Sequence, residues 1–140
     1  MAVTPAEVNA FLAENYPDAV RRGVSCVDVN GEGALVRWSH DPTTLRPGGL
    51  ISGPIQFALA DLALYCAAFG VVGIEPMAVT SRLAITFLRP AAGGDLYAQA
   101  RVLRAGRTRI YADVELWVEG DPERVVSHAV GEYALPRGEG

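Results

Sequence analysis

The chain has 140 residues, half of them hydrophobic and 20% charged, a length and composition that fit one globular domain, residues 1–140. Its net charge of −4 and the scattering of its 12 arginines, without any lysine, argue against a nucleic-acid-binding surface. Two cysteines are too few for a disulfide framework, and we expect Cys26 and Cys66 to be buried and reduced.

The N-terminal segment predicts a short helix and no secretory signal. Glu7 stands where a signal needs positive charge, and no long apolar run follows it. Thr4-Pro5-Ala6-Glu7 is instead a capping box with proline at the first helical position. We therefore expect a cytoplasmic protein with an N-terminal helix within residues 1–17, ended by Pro17.

After this helix the residue pattern changes to a period of two, which is typical of strands, and it predicts a hairpin. Its strands lie at 24–29 and 34–39, around the turn Asn30-Gly31-Glu32-Gly33. Residues 40–53 are rich in glycine and proline and are predicted to form a loop.

Residues 46–65 read RPGGLISGPIQFALADLALY, a loop that runs into the most apolar segment of the chain. We predict a central helix over 53–70, buried on most sides, because only Gln56 and Asp61 are polar within 54–69. That stretch is also shorter than the ~20 residues of a membrane span.

Four strand-like segments follow the central helix, at 78–88, 95–104, 108–118 and 125–135. Because short turns join them, they predict an antiparallel meander whose apolar face is covered by the central helix. The predicted fold class is therefore α+β, with a six-stranded antiparallel sheet wrapped around one buried helix. Residues 137–140 are predicted to be a frayed tail.

This order of elements, with its motifs, resembles the hotdog-fold acyl-CoA thioesterases, in particular those of the phenylacetate pathway. The matching residues are Ser52-Gly53-Pro54 at the helix start, Leu59-Ala60-Asp61 within the helix, a strand that ends in Arg89-Pro90, and Gly94-Asp95 in the next turn. The resemblance implies a hotdog fold and hydrolysis of an acyl-CoA thioester, with aryl, short-chain and medium-chain acyl groups left open.

The resemblance also implies residue roles and an assembly. Asp61 would be the catalytic carboxylate, the Gly53 amide would polarise the thioester carbonyl, and Thr80 would position the attacking water. Each site would be built across a homodimer interface, with the helix start and the carboxylate from different subunits, and we expect dimers to pair into a homotetramer. We expect no metal and no cofactor besides the coenzyme A of the substrate.

Three positions depart from the family pattern. Ser52 replaces the usual histidine, Pro54 replaces a second glycine, and Arg46 stands about where the family has an asparagine. Pro54 has no N–H, so one potential oxyanion donor is missing. These departures favour, as an alternative, a non-hydrolytic acyl-CoA binding or regulatory module. A hotdog hydratase would need a histidine near Asp61, and the sequence places none there.

Asp61 needs partners whatever its role, because burying a lone carboxylate costs several kcal/mol or forces its protonation. The candidates are the hydroxyls of Thr80 or Ser81, of which only one can face the helix, an arginine such as Arg82, or another subunit. A buried ion pair with arginine is the structural alternative to a catalytic role.

The remaining candidates concern substrate binding. The predicted binding residues are Arg46, Ser52, Pro54, Phe57, Tyr65, Ser81 and Arg82. Arginines at strand ends either hold the phosphates of coenzyme A or belong to the solvated surface; they are Arg82, Arg89, Arg104, Arg107 and Arg109. His40 and His128 lack nearby ligand-type residues and are expected to be structural.

Overall fold

Six strands, one long helix and two short helices make up the part of the chain that the computed structural model describes, residues 2–136. The elements in chain order are α1 (Pro5–Asn15), α2 (Pro17–Arg21), β1 (Val24–Asn30), β2 (Gly33–Trp38), a 3₁₀ turn (Pro42–Thr44), α3 (Gly53–Val72), β3 (Val79–Phe87), β4 (Leu96–Ala105), β5 (Arg109–Val118) and β6 (Ser127–Ala134). The tail predicted at 137–140 lies outside the described residues.

The N-terminal capping box is confirmed, since Glu7 N donates to Thr4 Oγ1 and Thr4 N donates to Glu7 Oε1, each over 3.2 Å. Helix α1 ends at Asn15, but the sequence did not predict α2. Pro17 explains the omission, because the fixed φ of proline that ends one helix also suits the first position of the next.

The strands form one antiparallel sheet in the order β1-β2-β4-β5-β6-β3. The six-stranded sheet is confirmed, but the predicted four-strand meander is wrong at β3, which pairs with β6 instead of β4. Residues 88–95 connect β3 at the edge of the sheet to β4 in its interior. Arg89-Pro90 follows the end of β3. The Ala91 carbonyl then accepts a 2.8 Å hydrogen bond from Ile51 N, just before α3. Strands β1 and β3 are therefore the edges of the sheet.

Helix α3 packs against all six strands and is the core of the fold. The contact with β1 is close enough that a Cβ at Gly70 would stand 2.0 Å from the Asn30 carbonyl oxygen. Cys26 and Cys66 are buried here with free thiols. Helix α3 has 20 residues and a hydropathy that would suffice for a membrane span, so the prediction that this segment is too short to span a membrane is wrong. In the protein, 56% of its apolar window is buried.

Candidate active site

Two hydroxyl groups hold the half-buried carboxylate of Asp61. Thr80 Oγ1 donates to Asp61 Oδ1 over 2.6 Å, and Tyr133 Oη donates to the same oxygen over 3.2 Å. Thr80 on β3 and Tyr133 on β6 are directly paired across the two strands, so their hydroxyls reach helix α3 side by side. Asp61 Oδ2 makes no hydrogen bond within residues 2–136, which leaves one carboxylate oxygen free for chemistry.

A β-bulge decides which strand hydroxyl reaches Asp61. The pairing of β3 with β6 slips between Thr80 and Arg82, so Ser81 leaves the register and accepts a hydrogen bond from Arg109 Nη1. Arg82 is exposed opposite Glu132. Asp61 forms no ion pair in the described part of the chain, so a buried pair with arginine does not account for its position.

A groove of about 420 Å³ opens beside Asp61. One face of α3 forms its floor, with Pro54, Ile55, Ala58, Leu59, Asp61, Leu62 and Tyr65. Its walls come from α2 and from three sheet residues, with Tyr16, Asp18, Ala19, Arg22, Val24, Trp38 and Tyr133. Most of this lining is aliphatic or aromatic, and the volume lies in the range of small-molecule sites.

Burial keeps two tyrosines of this groove protonated. Burial of the Tyr133 ring, together with the charge of Asp61, raises the pKa of its phenol far above the ordinary value. Burial likewise raises the pKa of Tyr65 to about 12, and its hydroxyl donates to the Pro76 carbonyl over 3.0 Å. Tyr133 is therefore a hydrogen-bond donor to Asp61 throughout the neutral pH range.

The first turn of α3 presents a single free amide. Ser52 is the N-cap, and its Oγ accepts from Ile55 N over 3.4 Å. Pro54 has no N–H. The Gly53 N–H finds no acceptor among the described residues, at the positive end of a 20-residue helix. Glycine suits this place, because a Cβ would stand 3.2 Å from Phe87 Cζ.

Gly53 and Asp61 are eight residues apart on one helix, which corresponds to about 12 Å along its axis. A general base and an oxyanion donor must both lie within about 3 Å of the reacting atoms. The Gly53 amide and the Asp61 carboxylate of one chain therefore cannot act on the same carbonyl group.

The sequence profile of the Thioesterase superfamily matches residues 48–125, a range that contains Gly53, Asp61 and Thr80. The chain belongs to the thioesterase superfamily. Thioester hydrolysis is its reaction class, and the resemblance drawn from the sequence is confirmed. No curated protein matches the sequence at a significant level.

Solved structures give the same answer for the fold. A provisionally assigned thioesterase from Silicibacter sp. TM1040 has a TM-score of 0.86 and 33% identity, over 97% of this chain and 94% of that one. The PaaI protein of the Escherichia coli phenylacetic acid degradation operon has a TM-score of 0.79 and 26% identity, over 96% and 95%. Zebrafish thioesterase superfamily member 2, at 22% identity, has a TM-score of 0.81 over 96% and 100%. The predicted hotdog fold is confirmed.

The groove beside Asp61 contains only part of the predicted binding set. Pro54 and Tyr65 line it, whereas Ser52 caps the helix. Arg46 is exposed on the preceding loop, where its N–H donates to the Leu50 carbonyl, and Phe57 is 41% exposed on another face of α3. Ser81, which accepts from Arg109, and the exposed Arg82 do not line the groove.

The predicted strand-end arginines and the two histidines do not line the groove beside Asp61. Arg109 pairs with Glu132 over 3.3 Å, and Arg89 donates to the Val125 carbonyl. His128 Nε2 contacts Asp113 Oδ2 over 3.2 Å, and His40 packs its ring against Trp38. Within residues 2–136 no cluster of three metal-ligand side chains occurs.

Tyr133 is not among the predicted site residues. In the structure, buried and half-buried residues alternate along β6 and place Tyr133 on the side of the sheet that faces α3. The missing information was the partner strand. Tyr133 reaches Asp61 beside Thr80 only because β6 pairs with β3, and a meander would have separated the two hydroxyls.

Proposed function

We propose that this protein hydrolyses an acyl-CoA thioester to a carboxylic acid and free coenzyme A. The observation that carries the proposal is the Asp61 carboxylate, held on Oδ1 by Thr80 and Tyr133, unpaired on Oδ2 and placed at an apolar groove. A positioned carboxylate of this kind suits a general base.

The proposed reaction starts with the thioester carbonyl oxygen on the Gly53 amide. Asp61 Oδ2 takes a proton from water while the water oxygen bonds to the acyl carbon, and the carbonyl electron pair moves onto the oxygen that the amide holds. Collapse of this oxyanion breaks the C–S bond, and the departing thiolate receives the proton from Asp61. Thr80 donates its hydrogen to Asp61, and its oxygen can still accept a hydrogen bond from the attacking water.

We further propose that two copies of the chain share each site. The distance of about 12 Å between Gly53 and Asp61 along one helix supports a site that takes them from different subunits. The edge strand β3 supports the same assembly, because one of its sides has no partner strand and because large apolar residues are exposed on it and just before it. Val79 is 56% exposed, Phe87 51% and the preceding Met77 69%. A homotetramer built from two such dimers stays a proposal of the sequence alone.

The groove suggests the class of acyl group. Its lining of Ile55, Leu62 and aromatic rings suits an aryl or medium-chain acyl group better than a charged one. Exposed arginines at strand ends, such as Arg104 and Arg107, are available for the phosphates of coenzyme A.

The test is thiol release from a panel of acetyl-, hexanoyl-, benzoyl- and phenylacetyl-CoA. We expect wild-type turnover on at least one aryl or medium-chain substrate, and a loss of at least about 100-fold for Asp61→Asn. Asp113→Asn, a carboxylate on the opposite face of the sheet, is the matched control and should retain wild-type rates. The proposal would be overturned if the wild type and Asp61→Asn both released thiol only at the background rate with every substrate of the panel.

The second candidate is an acyl-CoA binding module, which Pro54 favours because it removes one possible oxyanion donor from the helix start. Isothermal titration calorimetry with the same panel separates the two. Tight binding without thiol release identifies the binding module.

A further inference from the structure

We infer that Tyr133 is a positioning residue for the Asp61 carboxylate, an assignment that rests on the proposed hydrolytic function. Its hydroxyl lies 3.2 Å from Asp61 Oδ1 and 3.4 Å from the main-chain oxygen of the same residue. The single Tyr133 O–H thus lies between the main-chain oxygen and Oδ1, nearer to Oδ1, and with Thr80 it places two donors at one carboxylate oxygen. The two hydrogen bonds restrain Oδ1, and Oδ2 is the oxygen left for the proton.

The two donors differ in how firmly they are held. Thr80 is exposed and lies on the edge strand β3. Tyr133 is only 5% exposed and lies on β6, which is hydrogen-bonded to β5 and to β3. Its ring packs against Tyr65 with a centroid distance of 5.7 Å. Tyr133 is therefore the rigid anchor, whereas Thr80 is the donor that solvent can also reach.

Removal of the Tyr133 hydroxyl should loosen the carboxylate and leave the ring in place. We expect Tyr133→Phe to lower kcat about 10- to 100-fold, the effect of one hydrogen bond to a charged group, with KM within about twofold of the wild type. Tyr97→Phe is the matched control, because that ring stacks on Trp117 on the opposite face of the sheet, and its kcat should equal the wild-type value.

The pH profile of kcat/KM is the readout that a packing role would not move. Loss of a donor to the ionised carboxylate disfavours the charged form, so the acid limb should move to higher pH in Tyr133→Phe. A partly unfolded sample would lower kcat without moving that limb. The other titratable groups that line the groove are Tyr16, Asp18, Arg22 and Tyr65.

The double variant Tyr133→Phe, Thr80→Val completes the test. Because each donor still holds Oδ1 when the other is lost, we expect the double variant to lose more activity than the product of the two single losses. A Tyr133→Phe enzyme with wild-type kcat and an unmoved acid limb overturns this inference alone. A wild-type protein that hydrolyses no thioester in the panel overturns the proposed function and this inference together.

Discussion

The Thr80 hydroxyl lies 2.6 Å from Asp61 Oδ1, so the edge strand of the sheet and its central helix meet at one carboxylate oxygen. We expect Thr80→Val, which keeps the shape of the side chain, to lower kcat about 10- to 100-fold. The melting temperature should change little, because Thr80 is exposed. Thr80→Ser restores the hydroxyl and should recover most of the wild-type kcat. Equal rates for the valine and serine variants would contradict a role for this hydrogen bond.

Gly53 offers a second prediction, because its N–H can be removed without breaking the helix. Proline is favoured at the first helical position, and Ser52 already has the extended backbone, φ −70° and ψ 155°, that a following proline requires. We expect Gly53→Pro to lower kcat about 100- to 1,000-fold, as the loss of one oxyanion donor does.

Gly53→Ala is the matched control for this variant. It adds the same Cβ near the Phe87 ring but retains the N–H. A kcat for Gly53→Ala as low as that of Gly53→Pro would assign the loss to the displaced ring and not to the amide.

Mixed subunits test the shared site. Asp61→Asn and Gly53→Pro should each be inactive alone, because each lacks one of the two groups in every site. After unfolding and refolding of an equal mixture, half of the dimers combine one chain of each kind, and one of their two sites is intact. We expect about a quarter of the wild-type activity to return. Sites built within single chains would give no recovery at all.

The sequence alone was sufficient for features that depend on local patterns. The capping box at Thr4 and the apolar segment that became α3 follow from residue types within a few positions of one another. The face of α3 was also predictable, since Pro54 and Asp61, seven residues apart, both line the groove.

Features that depend on strand pairing could not be read in this way. The choice of Thr80 over Ser81 rests on a bulge in the pairing with β6, and Tyr133 is 72 residues from Asp61 in the chain. A period of two assigns a strand and its faces but not its neighbour. Both hydroxyl partners of Asp61 therefore required the three-dimensional structure.

Asp95 links the sheet to the loop that precedes α3. Its carboxylate accepts from His40 N over 2.7 Å and from the Arg37 guanidinium, and its side chain is 14% exposed. The His40 N–H, followed by Arg37, holds the pKa of Asp95 below its ordinary value. The ionised carboxylate thus stabilises the folded state, and this stabilisation depends on pH.

The sign of this dependence follows from the lowered pKa. The contribution is fully present above the pKa of the unfolded chain, near 3.8, and it is lost as the pH falls through the lower folded value. We expect Asp95→Asn to cost about 1–3 kcal/mol of unfolding free energy at pH 7. Because the wild-type carboxylate is itself protonated in acid, the gap in unfolding free energy between wild type and variant should narrow below about pH 4.

Chemical denaturation at pH 7, 5, 4 and 3 measures this gap. Asp18→Asn is the control, since Asp18 also pairs with arginines but is 61% exposed, and exposed pairs contribute little. Its difference from the wild type should stay within about 0.5 kcal/mol at every pH. A gap for Asp95→Asn that stays constant from pH 7 to pH 3 would contradict a role for the charge, and would assign the loss to the amide NH2 that then faces the donors of His40 and Arg37.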